Sequence, residues 1–166
     1  MIGDIGPAEL VEGRIVPGTL SDGEHGGLKS NLAYEIGLFV RQRGLGRVLT
    51  GGIYTRRNPD SVRGADIAFY SNQRMPGKLP KGYLEIAPDL VVEIMSPFDR
   101  WSEVREKVEE YFSIGVSQMW IVEPANHALF VYRSPVDVQR LAETDTHIGE
   151  GVLEGFSLPV ARIFDV

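Results

Sequence analysis

Residues 89–97 read DLVVEIMSP, and this run indicates the centre of the fold. In a β-strand, successive side chains point to opposite faces, and every residue from 90 to 95 except Glu93 is apolar. Strands that are apolar on both faces are typical of the buried middle of a sheet that helices cover on both sides. Because burial of an unpaired carboxylate costs several kcal/mol, we expect Glu93 to face a compensating partner.

The segments around this strand predict an α/β fold, a mixed β-sheet flanked by helices. Leu28, Leu32 and Ile36 recur at helical spacing in the first helix, which Gly44 ends. Residues 71–88, rich in proline and glycine, indicate a long loop. The predicted helices span about residues 25–43 and 100–114, and the predicted strands span about 10–16, 47–50, 52–56, 65–70, 89–94, 118–122, 128–132 and 151–156.

Length and composition predict one soluble domain over residues 1–166. The chain is 43% hydrophobic and 24% charged, and no apolar run approaches the ~20 residues that cross a bilayer, so no membrane partner is expected. The N-terminal residues do not resemble an export signal. The absence of cysteine excludes disulfides and thiolate metal sites. We therefore expect a cytoplasmic protein.

The net charge of −6 conceals a basic middle third. Residues 41–81 hold 9 basic and 2 acidic side chains, whereas residues 1–40 and 82–166 are net acidic. A basic stretch of this kind favours contact with a phosphate backbone, although it is also compatible with ordinary surface solubility. The predicted nucleic-acid contacts are Arg56, Arg57 and Arg63.

Two further acidic residues occupy positions where periodicity predicts apolar ones. Asp66 interrupts the apolar strand 65–70, and Glu35 falls inside the apolar stripe of the first helix rather than opposite it. Each carboxylate could pair with an arginine and serve only the structure. Together with Glu93, however, they lie in three adjoining core elements, and a divalent cation such as Mg²⁺ or Mn²⁺ would remove their mutual repulsion.

Lys107 lies at the margin between the apolar stripe and the acidic face of the second helix. It could form a surface pair with Glu103, or its ammonium could extend over the stripe to the end of the neighbouring strand. In the second case two carboxylates would bind a metal that polarises a phosphate. The lysine would then orient the attacking water or offset negative charge at phosphorus.

Three blocks of the chain resemble a known family. GADIAFY at 64–70, PDLVVEIMSPFDR at 88–100 and EKVEEYFSIGVSQMWIVEP at 106–124 are similar to the Uma2-like (DUF820) restriction endonuclease family of the PD-(D/E)XK nuclease superfamily. The resemblance extends over roughly residues 10–135. It implies a restriction-endonuclease-like fold, in agreement with the mixed sheet expected from the residues themselves.

The resemblance also implies roles for individual residues. Asp66 and Glu93 match the metal-binding carboxylates, and Ile94 matches a position that offers its backbone carbonyl to the metal. Met95 stands where the superfamily signature ordinarily has lysine, and Lys107 matches a lysine that the family carries on the following helix instead. Ala65 replaces the proline that usually precedes the aspartate.

Two residues of the first helix match less informative positions of the family. Glu35 is similar to a first-helix glutamate of the superfamily, which would make it an auxiliary catalytic acid. His25 matches a histidine that opens the helix, and its role is left open, because a histidine at such a position is often a cap or a packing residue.

These expectations favour a Mg²⁺-dependent (or Mn²⁺-dependent) endonuclease that hydrolyses DNA phosphodiesters. A homodimer would suit cleavage of both strands, but the sequence carries no dimer signal. Met95 and the acidic net charge leave open a catalytically inactive module of the same fold that binds nucleic acid or a protein partner. A hydrolase acting on another phosphate ester is a third alternative.

Overall fold

The computed structural model describes residues 8–18, 22–56 and 61–166, without the side chains of residues 52–56. The helices are α1 (Gly23–Arg43) and α2 (Trp101–Ser113). Neither of these two helices is long and apolar enough to cross a membrane. The strands are β1 (Ala8–Val11), β2 (Arg14–Pro17), β3 (Gly46–Arg56), β4 (Ser61–Ser71), β5 (Leu90–Ile94), β6 (Gln118–Glu123), β7 (Ala128–Tyr132), β8 (Val138–Leu141), β9 (Thr146–Ile148) and β10 (Ser157–Pro159).

The strands form a mixed sheet of eight strands and a separate pair, β9 and β10. The order of the large sheet is β2-β1-β4-β5-β6-β7-β8, and β3 also pairs with β4. Strands β5 and β6 run parallel to each other. On the outer sides, β4 pairs antiparallel with β5, and β7 pairs antiparallel with β6. Strand β5 therefore lies in the interior of a mixed sheet, which confirms the predicted fold class.

Both faces of β5 are covered, as its composition requires. Leu90, Val92 and Ile94 pack on the α1 side of the sheet, with the buried stripe of that helix. Val91 and Met95 pack on the α2 side. The α1 stripe consists of Leu28, Leu32, Ile36 and Val40. The α2 stripe consists of Val104, Val108 and Tyr111.

The first helix begins and ends close to the predicted positions. Asp22 caps its N-terminus, because the Asp22 side chain accepts a hydrogen bond from the His25 backbone N–H at 2.9 Å. Gly44 ends the helix in the left-handed conformation, with φ of 61°. The second helix likewise agrees with the prediction to within one residue at each end.

Three strand predictions are wrong. Residues 47–50 and 52–56 belong to the single strand β3 rather than to two strands. Residues 10–16 form part of the hairpin β1–β2 rather than one strand, because Glu12 and Gly13 both take positive φ values, 49° and 77°, and reverse the chain. Residues 151–156 do not form a strand, since Gly151–Leu153 is a short 3-10 turn between β9 and β10.

An arginine joins the hairpin to the sheet and to α2. Arg63 of β4 donates to Glu9 of β1 at 2.7 Å and, through Nε, to Glu110 of α2 at 3.0 Å. The Arg63 side chain is only 10% exposed. Because a buried guanidinium needs paired carboxylates, this network fixes where β1 and α2 meet β4.

His147 on β9 is a buried imidazole among aromatic rings. Its ring centroid lies 4.6 Å from that of Trp120, at an angle of 77°, and Phe156 packs beside it. The residue is 2% exposed. Burial lowers the pKa of His147 to about 4, so the folded protein keeps this imidazole neutral under mildly acidic conditions.

We expect His147 to make the fold sensitive to acid. Between pH 6.5 and pH 4 the unfolded chain binds a proton at this histidine and the folded chain does not. Stability is therefore fully present above about pH 6.5 and falls by up to about 3 kcal/mol as the pH approaches 4. Urea unfolding of wild type and His147→Phe at pH 7 and pH 4.5 measures this, and the variant should lose less stability on acidification.

The exposed histidine His127 provides the matched control. Its side chain is 47% exposed, and His127→Gln should lose as much stability on acidification as wild type does. An equal loss in wild type and in His147→Phe would contradict the assignment.

Candidate active site

We call the junction where strands β4 and β5 separate the cleft. Their backbone pairing ends with Ile67 opposite Val92. The next donor on β5, the N–H of Ile94, donates to the Asp66 carboxylate (Oδ2) at 2.9 Å instead of to a backbone carbonyl. Continuing the register by one residue places Asp66 opposite Glu93. The two carboxylates singled out in the sequence are thus neighbours.

Asp66 accepts hydrogen bonds from two side chains of α1 and from the backbone of β5. His25 Nε2 lies 2.9 Å and Lys29 Nζ 3.2 Å from Asp66 Oδ1. Burial alone would raise the pKa of Asp66, but the hydrogen bonds from His25 and Ile94 outweigh it and hold this pKa below its ordinary value. The bond to Asp66 in turn raises the pKa of His25. Asp66 is therefore a stable anion.

Glu93 has a different electrostatic environment. The Tyr111 hydroxyl donates to Glu93 Oε1 at 3.0 Å, and Lys107 Nζ lies 3.5 Å from Oε2. Burial, with a smaller contribution from the nearby charge of Asp66, raises the pKa of Glu93 to about 7 against the opposing effect of Lys107. A carboxylate in this state gains strongly from a cation placed beside it.

Lys107 reaches the strand rather than forming the surface pair. Its ammonium faces Glu93, whose charge raises the pKa of Lys107, whereas Glu103 accepts the backbone N–H of Arg100 at 3.4 Å. Met95, at the position of the signature lysine, packs with the apolar residues on the α2 side. The structure therefore brings Lys107 to the cleft, and its catalytic role stays a prediction.

The groups in the cleft suit a hard divalent cation. A carboxylate offers about four lone-pair sites; Asp66 accepts from three donors, and Glu93 accepts one hydrogen bond and faces one ammonium. The carbonyl of Ile94 points to the same strand edge as its N–H. Within the described residues no group of three or more His, Cys, Asp or Glu side chains could form a metal cage. Mg²⁺ keeps several waters and needs only one or two carboxylates, so this donor set fits it.

Glu35 lies outside the cleft. It is about 15 Å from His25 along the axis of α1, at 1.5 Å per residue, and pairs with Arg162 Nη1 at 3.3 Å. The buried stripe of α1 is centred on Leu32 and Ile36, so Glu35 falls at its edge and faces the C-terminal segment. The predicted auxiliary acid is not brought to Asp66 and Glu93.

The predicted phosphate contacts have different placements. Arg57 and the side chain of Arg56 lie outside the described residues. Arg63 is bound to Glu9 and Glu110, which favours a structural role over contact with a phosphate backbone.

Two residues of the cleft were not singled out in the sequence. Lys29 resembles an ordinary surface lysine, and only its position one turn after His25 on the same face could have signalled it. Tyr111 fits the apolar stripe of α2, and its hydroxyl gains a partner only because α2 packs over Glu93.

Comparisons with known proteins identify the family and the fold of the chain. The family model described as "Putative restriction endonuclease" (Uma2) matches residues 3–161. No curated protein matches the chain. A crystal structure of a putative nuclease belonging to DUF820 from Anabaena variabilis superposes with a TM-score of 0.84 at 22% sequence identity, covering 95% of this chain and 89% of that chain. At this identity the superposition shows a shared fold, and the family match shows that the chain belongs to the Uma2 family of putative restriction endonucleases.

Proposed function

We propose that the protein is a Mg²⁺-dependent or Mn²⁺-dependent endonuclease that hydrolyses DNA phosphodiester bonds. The observation that carries the proposal is the hydrogen bond from the N–H of Ile94, the residue after Glu93, to the Asp66 carboxylate where β4 and β5 separate, with the Lys107 ammonium 3.5 Å from Glu93. Membership of the Uma2 family supports nuclease chemistry on this scaffold.

Asp66, Glu93 and the carbonyl of Ile94 would hold the metal. When bound, Mg²⁺ supplies Lewis acidity, polarising the scissile phosphate and lowering the pKa of a water ligand. Asp66 enters this task as an anion, because its hydrogen bonds already favour the charged form. Tyr111 fixes the orientation of Glu93 by donating to Oε1.

Lys107 would act on the reacting water and phosphate. Its position on α2, with the side chain 32% exposed, lets the ammonium point into the cleft while its stem packs along the helix. There it orients the attacking water and offsets the negative charge that develops at phosphorus. In the superfamily signature this task belongs to a lysine on the strand, at the position of Met95. Here Lys107 would perform it from helix α2.

DNA would approach the cleft along the basic stretch 41–81. Of the arginines that we propose as phosphate contacts, Arg56 and Arg57 are retained, while Arg63 is assigned to the network with Glu9 and Glu110. A homodimer would place two such clefts on the two strands of a duplex.

A nuclease-fold module without catalysis is the second candidate. Met95 at the signature position favours it, because a module that had lost the strand lysine could keep the fold and the binding surface without the chemistry. The partner would then be nucleic acid or another protein, and the plasmid assay below separates the two candidates.

We expect purified protein to cut supercoiled plasmid in the presence of Mg²⁺ or Mn²⁺. Glu93→Gln and Lys107→Ala should lower the rate by at least about 100-fold, because each removes a charge that acts on the transition state. Arg105→Ala, which removes a cation from the exposed face of the same helix, serves as the control and should cut at the wild-type rate. Unchanged cleavage in the two site variants would refute the site, and no cleavage by any form would favour the binding module.

Metal binding provides a measurement independent of cleavage. In calorimetric titrations with Mn²⁺, Asp66→Asn and Glu93→Gln should bind at least about tenfold more weakly than wild type, a loss typical even of groups that only support a ligand. Glu35→Gln is the control, since Glu35 pairs with Arg162 outside the cleft. Equal affinities in all four proteins would count against metal ligation by Asp66 and Glu93.

The salt dependence of DNA binding tests the basic stretch. Each phosphate contact contributes about 0.9 to the slope of log K against log salt, so the double variant Arg56→Ala, Arg57→Ala should lower the slope by about 2. Binding is measured by fluorescence anisotropy with Ca²⁺ in place of Mg²⁺. Arg140→Ala on β8 should leave the slope nearly unchanged, and a double variant with the wild-type slope would exclude these contacts.

A further inference from the structure

Two cationic side chains of α1 converge on a single oxygen of Asp66. His25 Nε2 is 2.9 Å and Lys29 Nζ is 3.2 Å from Oδ1, while Oδ2 accepts the N–H of Ile94. The two side chains stand one helical turn apart on the same face of α1.

These contacts use most of the hydrogen-bond acceptor sites of the Asp66 carboxylate. Three donors on about four lone-pair sites leave room for little more, and two of the donors carry or can carry positive charge. A divalent cation at Asp66 would meet both the steric obstruction and the repulsion of these groups. Glu93 faces one ammonium at the longer distance of 3.5 Å, so the competition is concentrated on Asp66.

The two α1 contacts differ from the contact with Ile94 in how easily they can be released. The Ile94 N–H belongs to the backbone of β5, so it is fixed by the sheet. Lys29 is attached through a flexible four-carbon stem, and its side chain is 27% exposed; that of His25 is 15% exposed. A side-chain rotation would release either donor from Asp66, whereas release of the Ile94 N–H would require movement of the β5 backbone.

We propose that His25 and Lys29 are exchangeable positioning residues: they hold Asp66 in the metal-free protein and pass to a phosphate oxygen of the substrate when a divalent cation takes the carboxylate. This inference rests on the proposed function, because it requires the metal site at Asp66. A phosphate bound at that site presents anionic oxygens within reach of both donors, and charge-assisted hydrogen bonds to phosphate replace those lost from Asp66. A structural role, in which the two cations only neutralise a buried carboxylate, is the alternative.

The first test is the Mn²⁺ affinity of the DNA-free protein. Lys29→Met removes a competitor, so the dissociation constant should fall about three- to tenfold. Lys29→Arg should retain roughly the wild-type value. Arg41→Met, the same change of charge near the other end of α1, controls for the overall electrostatic potential. Unchanged or weaker Mn²⁺ binding by Lys29→Met, with the variant folded according to its thermal melt, would overturn the inference.

The second test is DNA affinity with and without a divalent cation. In Ca²⁺, Lys29→Met and His25→Leu should each bind a short duplex about tenfold more weakly than wild type, because the side chains then face phosphate. In EDTA the loss should be much smaller, since both side chains are engaged with Asp66. Equal losses in Ca²⁺ and EDTA would show that no exchange takes place.

The two proposals fail in distinguishable ways. If Asp66→Asn binds Mn²⁺ as well as wild type does, there is no metal site at Asp66 and both proposals are overturned. If Asp66→Asn binds weakly and Lys29→Met gains no affinity, the metal site stands and only the exchange is excluded.

Discussion

The interaction on which the site depends is the hydrogen bond from the Ile94 N–H to the Asp66 carboxylate. Strands β4 and β5 separate after Ile67 and Val92, and a buried backbone donor left unpaired at that point would be costly. The carboxylate replaces the missing backbone acceptor, so the strands can separate while the Ile94 N–H keeps a hydrogen-bond partner. Asp66, Glu93 and the Ile94 carbonyl lie together at the point where β4 and β5 separate.

The sheet also separates two electrostatic environments that share this edge. From one side α1 directs His25 and Lys29 to Asp66, and from the other side α2 directs Lys107 and Tyr111 to Glu93. The hydrogen bonds to Asp66 lower its pKa, whereas burial raises that of Glu93 to about 7. Two carboxylates of similar chemistry thus enter the site with different proton affinities, because hydrogen bonds outweigh burial at Asp66 and burial outweighs the effect of Lys107 at Glu93.

The sequence predicted the features that depend on periodicity along a single segment. The two-residue alternation of β5 exposed Glu93 as an anomaly, and the helical period placed Lys107 at the margin of the α2 stripe, where its ammonium meets Glu93. It could not predict pairings between distant segments: Lys29 with Asp66, Tyr111 with Glu93, or Arg63 with Glu9. Glu35 was misplaced because a small angular offset on a helix decides whether a side chain at the edge of the apolar stripe faces the core or a neighbouring segment.

The hairpin β1–β2 contributes one of the two carboxylates that hold the buried Arg63, so local opening of the hairpin would change the contacts of this side chain. The hairpin is paired with β4 at Leu10 and Val62, while Glu9 on the same hairpin holds one side of the guanidinium. Segments attached through few backbone bonds open locally at a lower free energy than the rest of a sheet. Opening of the hairpin would remove Glu9 from Arg63 and leave Glu110 as its carboxylate partner among the described residues. Local unfolding at this edge of the sheet would therefore expose a guanidinium to solvent and to anions.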